Sequence, residues 1–353
     1  MTKHLFEPVT LGDLRLANRI VMAPMTRNRA EADGTPNDVM RDYYRQRADA
    51  GLIVAEGTWP SATGQAYCRQ PGIETAAQID GWHRITDAVH ERGGLIVLQV
   101  MHGGRIGSRH IKPSGVESVA PSAIRAAGEV FTDSAGMQPY DTPRALSTAE
   151  VRAVVQQHAQ AALNASEAGF DGVELHGTSG YLPLQFLSSG TNRRDDEYGG
   201  KAAARARFAV ECLRAMAAAI GAGRVGLRLN PGNTYNDTVD EDSGATHAEL
   251  MRQAATLDLA YLHVMRAPVH AIDAFALARE NFGQRLILND GLGSDSGEQL
   301  LCEGAGAAMS FARHFIANPD LVRRLRAGLP LSGFDRKTLY TAGASGYSDY
   351  PPA

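Results

Sequence analysis

Cysteine is scarce. The 353-residue chain holds three, Cys68, Cys212 and Cys302, far apart and without a C-x-x-C pair. An odd set of scattered thiols builds neither a disulfide framework nor a zinc or iron–sulfur site, and it points to a reducing compartment. Long apolar runs are missing too. The opening "MTKHLFEPVT" has no hydrophobic stretch of signal-peptide length, and no later segment approaches a membrane span, so the expected location is the cytoplasm. Nor is one sign of charge in excess: a formal net charge of −4 provides no bulk field for nucleic acid or an anionic membrane. There is no low-complexity tract, charge block or linker, so residues 1–353 read as a single domain. No His, Asp and Glu group shows metal-ligand spacing, so no metal is expected.

What the sequence does contain is alternation. Short runs rich in Val, Ile and Leu are each followed by a longer stretch with helical spacing of apolar positions, the pattern of βα units and a parallel sheet. Eight strands are predicted, over residues 19–24, 51–57, 94–102, 172–177, 225–230, 259–265, 285–290 and 307–313. Helices are predicted over 37–49, 79–92, 148–168 with Ser147 as N-cap, 202–220, 247–257 and 319–327. With no G-x-G-x-x-G opening the first helix, eight such strands fit an α/β fold of the (β/α)8 TIM-barrel type better than a doubly wound sheet. Ahead of the first strand, "TLGDLRLANR" reads as a hairpin turning at Gly12-Asp13 and closing the barrel floor. The excursion over residues 103–147, after the third strand, is too long for a simple connection and reads as a cap over the barrel mouth.

A TIM barrel draws its reactive groups from the C-terminal ends of its strands. Here those ends carry Thr26, Gln99, His102, His176, Arg228, His263, Asn289, Asp290 and Arg313. A single His or Gln in a strand is as often a hydrogen-bonded structural group as a ligand; convergence from separate strands is what argues for a site. At the last two strands Gly291, Ala312 and Arg313 stand where such barrels bind phosphate, through exposed backbone N–H groups and a cation. Alternatively, Gly291 is a turn residue and Arg313 half of a surface ion pair.

Several long motifs in one order resemble the old yellow enzyme family of flavoprotein ene-reductases: "LFEPVTLGDLRLANRIVMAPMTRNRA", "GLIVLQVMHGGR", "ELHGTSGYLPLQFLSSGTNRRDDEYGG", "FIANPDLVRRL" and "YTAGASGYSDYP". The resemblance implies FMN in the barrel mouth and NADPH or NADH as reductant. It would place Pro24, Met25 and Thr26 along the flavin, Gly57 at a close backbone approach and Gln99 on the pyrimidine edge. Arg228 would stand by N1 and the C2 carbonyl, where charge collects on reduction, and Gly291, Ala312 and Arg313 would hold the phosphate. His176 and the residue three positions on, Ser179, would grip the carbonyl oxygen of an activated alkene, with Tyr181 as proton donor. Tyr67 and Tyr340 would flank the substrate or else serve as buried aromatics; Met101 would line its pocket. The implied partner is a small electrophilic alkene, acted on by a monomer or homodimer.

Three positions depart from the family pattern. Position 179 is serine in place of His or Asn, which shortens the reach of the second donor and widens the pocket. Met101 replaces a frequent aromatic residue. Ala312 replaces the glycine before the arginine, a change that leaves the backbone N–H available if φ there is negative. Thr26 sets the chain in the branch with threonine, not cysteine, at the flavin. Two other functions remain open from the sequence: a redox-neutral isomerase or rearrangement enzyme using the same flavin, and a flavin-binding protein without efficient turnover.

Overall fold

A computed structural model describes residues 4–267, 272–289 and 291–353. Two short strands, β1 (Val9–Leu11) and β2 (Leu14–Leu16), pair antiparallel as the expected hairpin, with Gly12 at φ 57° in its turn. That left-handed conformation, and the Gly223 carbonyl 2.4 Å from where a Cβ would stand, require glycine there. The barrel itself consists of β3 (Ile20–Met22), β4 (Leu52–Val54), β5 (Ile96–Val100), β10 (Gly172–His176), β11 (Val225–Leu229), β12 (Tyr261–Met265), β13 (Leu286–Asn289) and β14 (Ala308–Phe311), each lying within a predicted run. All neighbouring pairs are parallel, and β14 closes onto β3. This is the expected (β/α)8 barrel.

Burial explains why these runs read as nearly continuous apolar stretches: helices cover the outside while the barrel fills itself. Inside, the strands step from an apolar floor to a polar layer. Leu11, Leu14 and Leu16 of the hairpin pack with Val21, Leu52, Val97, Tyr261, Ile287 and Ala308 to form the floor. Two residues further along the same strands come Gln99, His263, Asn289 and Ser310. A strand's period of two puts these on the same inner face, one layer nearer the mouth.

The helices are α1 (Asp38–Gln46), α2 (Ala76–His90), α3 (Thr148–Glu167), α4 (Leu182–Leu187), α5 (Ala202–Ile220), α6 (Ser243–Ala255), α7 (Ala274–Asn281), α8 (Ser294–Cys302), α9 (Arg313–Ala317) and α10 (Leu321–Ala327). Ser147 caps α3 as expected, in a capping box with Glu150, an arrangement worth about 1 kcal/mol. Two helices start earlier than predicted because their caps lie upstream: Thr75 forms a capping box with Gln78, and the Asp242 side chain accepts from the Ala245 N–H. The four helices not foreseen, α4, α7, α8 and α9, run five to nine residues.

The excursion after β5 supplies β6 (Val119–Ala120) and β9 (Arg144–Ala145), which pair parallel, and the hairpin β7 (Glu129–Thr132) with β8 (Gly136–Pro139). Beyond α10 the chain returns across the mouth as a strap held by buried arginines. Arg27 donates to the carbonyls of Leu339 and Gly346, Arg29 to those of Thr338, Leu339, Gly343 and Ser345, and Arg47 to Tyr347. Each guanidinium offers five donors in a fixed fork, enough to satisfy several carbonyls of an irregular segment at once. No described helix is long and apolar enough to cross a membrane.

Candidate active site

The barrel mouth opens into a cavity of about 1400 Å³. Strand ends supply Pro24, Met25, Thr26, His176, Arg228, Asn289, Ser310 and Ala312; the excursion adds Val130, Phe131 and Tyr140; the strap adds Leu339, Tyr340 and Thr341. The long segment after the third strand thus forms one wall, as expected of a cap. Of the site residues expected from the sequence, Pro24, Met25, Thr26, Tyr67, His176, Ser179, Tyr181, Arg228, Gly291, Ala312, Arg313 and Tyr340 all line this space.

Gly57, Gln99 and Met101 are not among its lining residues. Met101 is fully buried, and a Cβ on Gly57 would meet its sulfur at 2.4 Å, so the close approach that Gly57 permits here is to Met101. The Gln99 amide donates to Glu174 at 2.8 Å. Asp290, expected at the end of the seventh strand, lies outside the described residues.

The motif after β10 makes a tight turn over the cavity. Ser179 sits at φ 58° and Gly180 at φ 76°; a serine in the left-handed region is uncommon and is held there by the Asn236 amide, which donates to its carbonyl at 2.8 Å. Its hydroxyl lies 2.9 Å from that of Thr178, and the Thr178 hydroxyl lies 3.2 Å from His176 Nδ1. Burial, then the neighbouring Arg228, pushes the His176 imidazole down to about 3, so it is neutral at physiological pH. Tyr181 packs edge-on against His176, with ring centroids 4.8 Å apart, and its hydroxyl is 2.9 Å from that of Tyr67. Burial, then the Tyr67 phenol, raises the Tyr181 phenol well above its ordinary value; Tyr67 is raised by burial as well. Both keep their protons at neutral pH.

Arg228 reaches into the polar layer. Nη2 donates to Asn289 Oδ1 at 2.8 Å and Nη1 to His263 Nε2 at 2.6 Å. Nη1 also lies 3.0 Å from Nδ1 of that ring; Nδ1 in turn lies 2.8 Å from Glu174 Oε2, and the Ser310 hydroxyl is 2.7 Å from Nε2. Burial, then Arg228, pushes His263 down to about 4. Burial alone would raise the Glu174 carboxyl, but His263 and Arg228 together hold it below its ordinary range. The arrangement is a buried guanidinium and a buried carboxylate joined by a neutral imidazole.

Residues 4–332 match the NADH:flavin oxidoreductase / NADH oxidase family. The chain belongs to that family. It is 40% identical over 355 residues to a probable flavin mononucleotide-dependent alkene reductase of Leishmania infantum, spanning 98% of this chain and 97% of the relative. The solved structure of morphinone reductase in complex with tetrahydroNAD superposes at a TM-score of 0.95 with 41% identity, covering 99% of this chain and 97% of the other. The old yellow enzyme homologue from Zymomonas mobilis does so at 0.95 and 38%, covering 99% of each. As a member of this flavoprotein family the chain is an FMN oxidoreductase with a nicotinamide nucleotide as reductant.

The residues present fit such a cofactor. The cavity exceeds the roughly 300–1,000 Å³ usual for a single ligand, which leaves room for a second ring system over the first. Where the resemblance would place the phosphate, a Cβ on Gly291 would meet nothing within 4 Å, which leaves room for a ligand, while the Gly293 N–H donates to the Ser296 hydroxyl at 2.9 Å. Ala312 has φ −98°, a conformation any residue adopts, so an alanine stands there without strain. Among the described residues Arg313 forms no ion pair, leaving its charge available to a phosphate.

Sequence reasoning overlooked Thr178, Glu174 and the linking role of His263. Glu174 and His263 had a signal: each is a polar residue at an interior position of a strand, and Val97 and Tyr261 two residues below Gln99 and His263 mark that face. Thr178 had none, because only the fold of the turn sets its hydroxyl between its neighbours. The ligand atoms of His4, Glu298 and Cys302 lie within 4.8 Å of one another, a grouping that sequence spacing does not show. Glu298 accepts the backbone N–H groups of His4 and Leu5, tying the N-terminal turn to α8.

Proposed function

We propose that the protein is an ene-reductase that reduces the double bond of α,β-unsaturated carbonyl compounds, with nitro-alkenes or quinones as further acceptors, in the cytoplasm. The observation that carries this reading is the convergence of a neutral His176 and a protonated Tyr181 on one wall of a cavity that has Arg228 at its base. FMN, when bound, would supply the hydride chemistry between the nicotinamide reductant and the alkene, and Pro24, Met25, Thr26, Arg228, Gly291, Ala312 and Arg313 would hold it.

The chain's own groups do the rest. Negative charge grows on the carbonyl oxygen as hydride arrives, so a donor fixed at that oxygen lowers the barrier. The hydroxyl chain from His176 through Thr178 to Ser179 has two orientations. Running one way, Ser179 donates to Thr178 and Thr178 to His176 Nδ1, which leaves the proton on Nε2, facing the cavity. Running the other way, His176 Nδ1 donates to Thr178 and Thr178 to Ser179, whose own proton is then free. In either case the chain presents one donor to the substrate oxygen, not two. Tyr181 gives its proton to the α-carbon, and the Tyr67 hydroxyl, 2.9 Å away, holds the phenol in place and is the nearest group to replace that proton. A high phenol pKa suits this role, since the proton stays in place until enolate charge develops. One cavity receives reductant and substrate in turn.

Anaerobic titration tests the reading. NADPH should bleach the yellow protein and 2-cyclohexenone should restore its colour, with cyclohexanone as product. Bleaching without recolouring by any enone would contradict it, and product isomerised without NADPH consumption would favour the redox-neutral alternative.

A further inference from the structure

Three buried residues join Arg228 to the barrel interior without lining the cavity, and they form an ordered series. Gln99 donates to Glu174 Oε1, Glu174 Oε2 lies 2.8 Å from His263 Nδ1, and Arg228 Nη1 lies 2.6 Å from His263 Nε2 and 3.0 Å from its Nδ1. Glu174 and His263 are fully buried, and neither lines the cavity, whereas Arg228 does. A guanidinium needing only a counter-ion would pair with the carboxylate directly, in the bidentate geometry that is strongest. Here an imidazole stands between them. With Nδ1 donating to the carboxylate, Nε2 accepts, from the Ser310 hydroxyl or from Arg228 Nη1, which rests against both ring nitrogens, while Asn289 holds the guanidinium through Nη2. The series as a whole carries one positive and one negative charge, with the positive end toward the cavity.

We propose that Glu174, acting through His263, positions Arg228 and, as its counter-ion, sets how strongly the guanidinium charge raises the reduction potential of bound FMN. The proposal rests on the FMN reading of Arg228 above. Glu174 is a positioning residue: it touches neither cofactor nor substrate. In a dry interior a carboxylate this near weakens the field that the guanidinium projects into the cavity. Removing that negative charge while keeping the hydrogen bonds should favour the anionic reduced flavin over the neutral oxidised one.

Glu174→Gln is the direct test, because a glutamine can accept from His263 through its oxygen and donate to a rotated Gln99 amide. The flavin midpoint potential of the holoprotein, measured spectroelectrochemically, should rise relative to the wild type by a roughly tenfold change in equilibrium constant, or about 30 mV for a two-electron couple. Reduction by NADPH should be as fast or faster, and reoxidation by an enone slower. Glu174→Ser, a smaller neutral replacement that leaves room for water, carries the same expectation should the glutamine variant not fold. A potential unmoved in both variants would overturn the proposal, as would loss of FMN affinity with the potential unmoved, the mark of a purely structural role. A wild-type protein that binds no FMN would instead defeat the reading on which it rests.

Discussion

Ser179 is one of the three positions expected to depart from the family's pattern, and its backbone shows how that residue could be exchanged. At φ 58° the position suits asparagine better than almost any other side chain bearing a Cβ. Ser179→Asn should therefore fold normally and present an amide N–H deeper into the cavity. Binding of a para-substituted phenol, followed by the long-wavelength absorbance it induces in the flavin, should tighten about two- to tenfold, the worth of one added hydrogen bond. Unchanged affinity would contradict the single-donor account of this wall. The outer residues of the site were partly legible: His176 and Arg228 stand at strand ends, where barrels keep reactive groups, and Tyr181 came from the resemblance of its motif. The hydroxyl of Thr178 was not, since its neighbours on both sides are set by a turn that no periodicity describes.

At the scale of elements, the barrel strands were legible because burial on both faces leaves continuous Val, Ile and Leu runs, and the long helices because their apolar spacing spans several turns. The short helices α4, α7, α8 and α9 were not. The strap was hidden altogether: it has little regular structure and is shaped by arginines more than 250 residues away in sequence, such as Arg29 on Gly343. Those arginines make a prediction. Arg29→Met removes donors from the carbonyls of Thr338, Leu339, Gly343 and Ser345, and unpaired carbonyls cost about 1–3 kcal/mol each when buried. With water reaching some of them, the loss should be about 3 kcal/mol in urea unfolding, together with faster proteolysis of the last 25 residues. A wild-type midpoint and proteolysis rate would show that the strap is held by other contacts.

For the whole molecule, buried imidazoles dominate the pH dependence of stability. Burial lowers His158 to about 4, and His263 and His176 lie at about 4 and 3. A histidine depressed in the folded state contributes stability that is present above its unfolded value near 6.5 and lost as pH falls toward its folded value. Glu56 acts in the opposite sense. Burial raises it to about 7, so its contribution is present below about 4.5 and lost as pH rises through 7. Burial lowers His102 and His247 as well, so five histidines stand against one glutamate and the unfolded state is the richer in protons between pH 6.5 and 4.5, by several protons and hence about 1.4 kcal/mol per pH unit for each. Urea midpoints at fixed FMN concentration should fall steeply across that interval, and His158→Gln should reduce the slope by about one proton, roughly 1.4 kcal/mol per pH unit. A flat profile would mean that these rings reach water.

The central claim is that one wall of this cavity protonates the alkene while taking no part in flavin reduction. Stopped-flow measurement of the two half-reactions in Tyr181→Phe separates these roles. Reduction by NADPH should stay within about twofold of the wild type, and reoxidation by 2-cyclohexenone should slow by about 10²-fold or more, the usual contribution of a positioned general acid. Equal slowing of both steps, or none in either, would contradict the account.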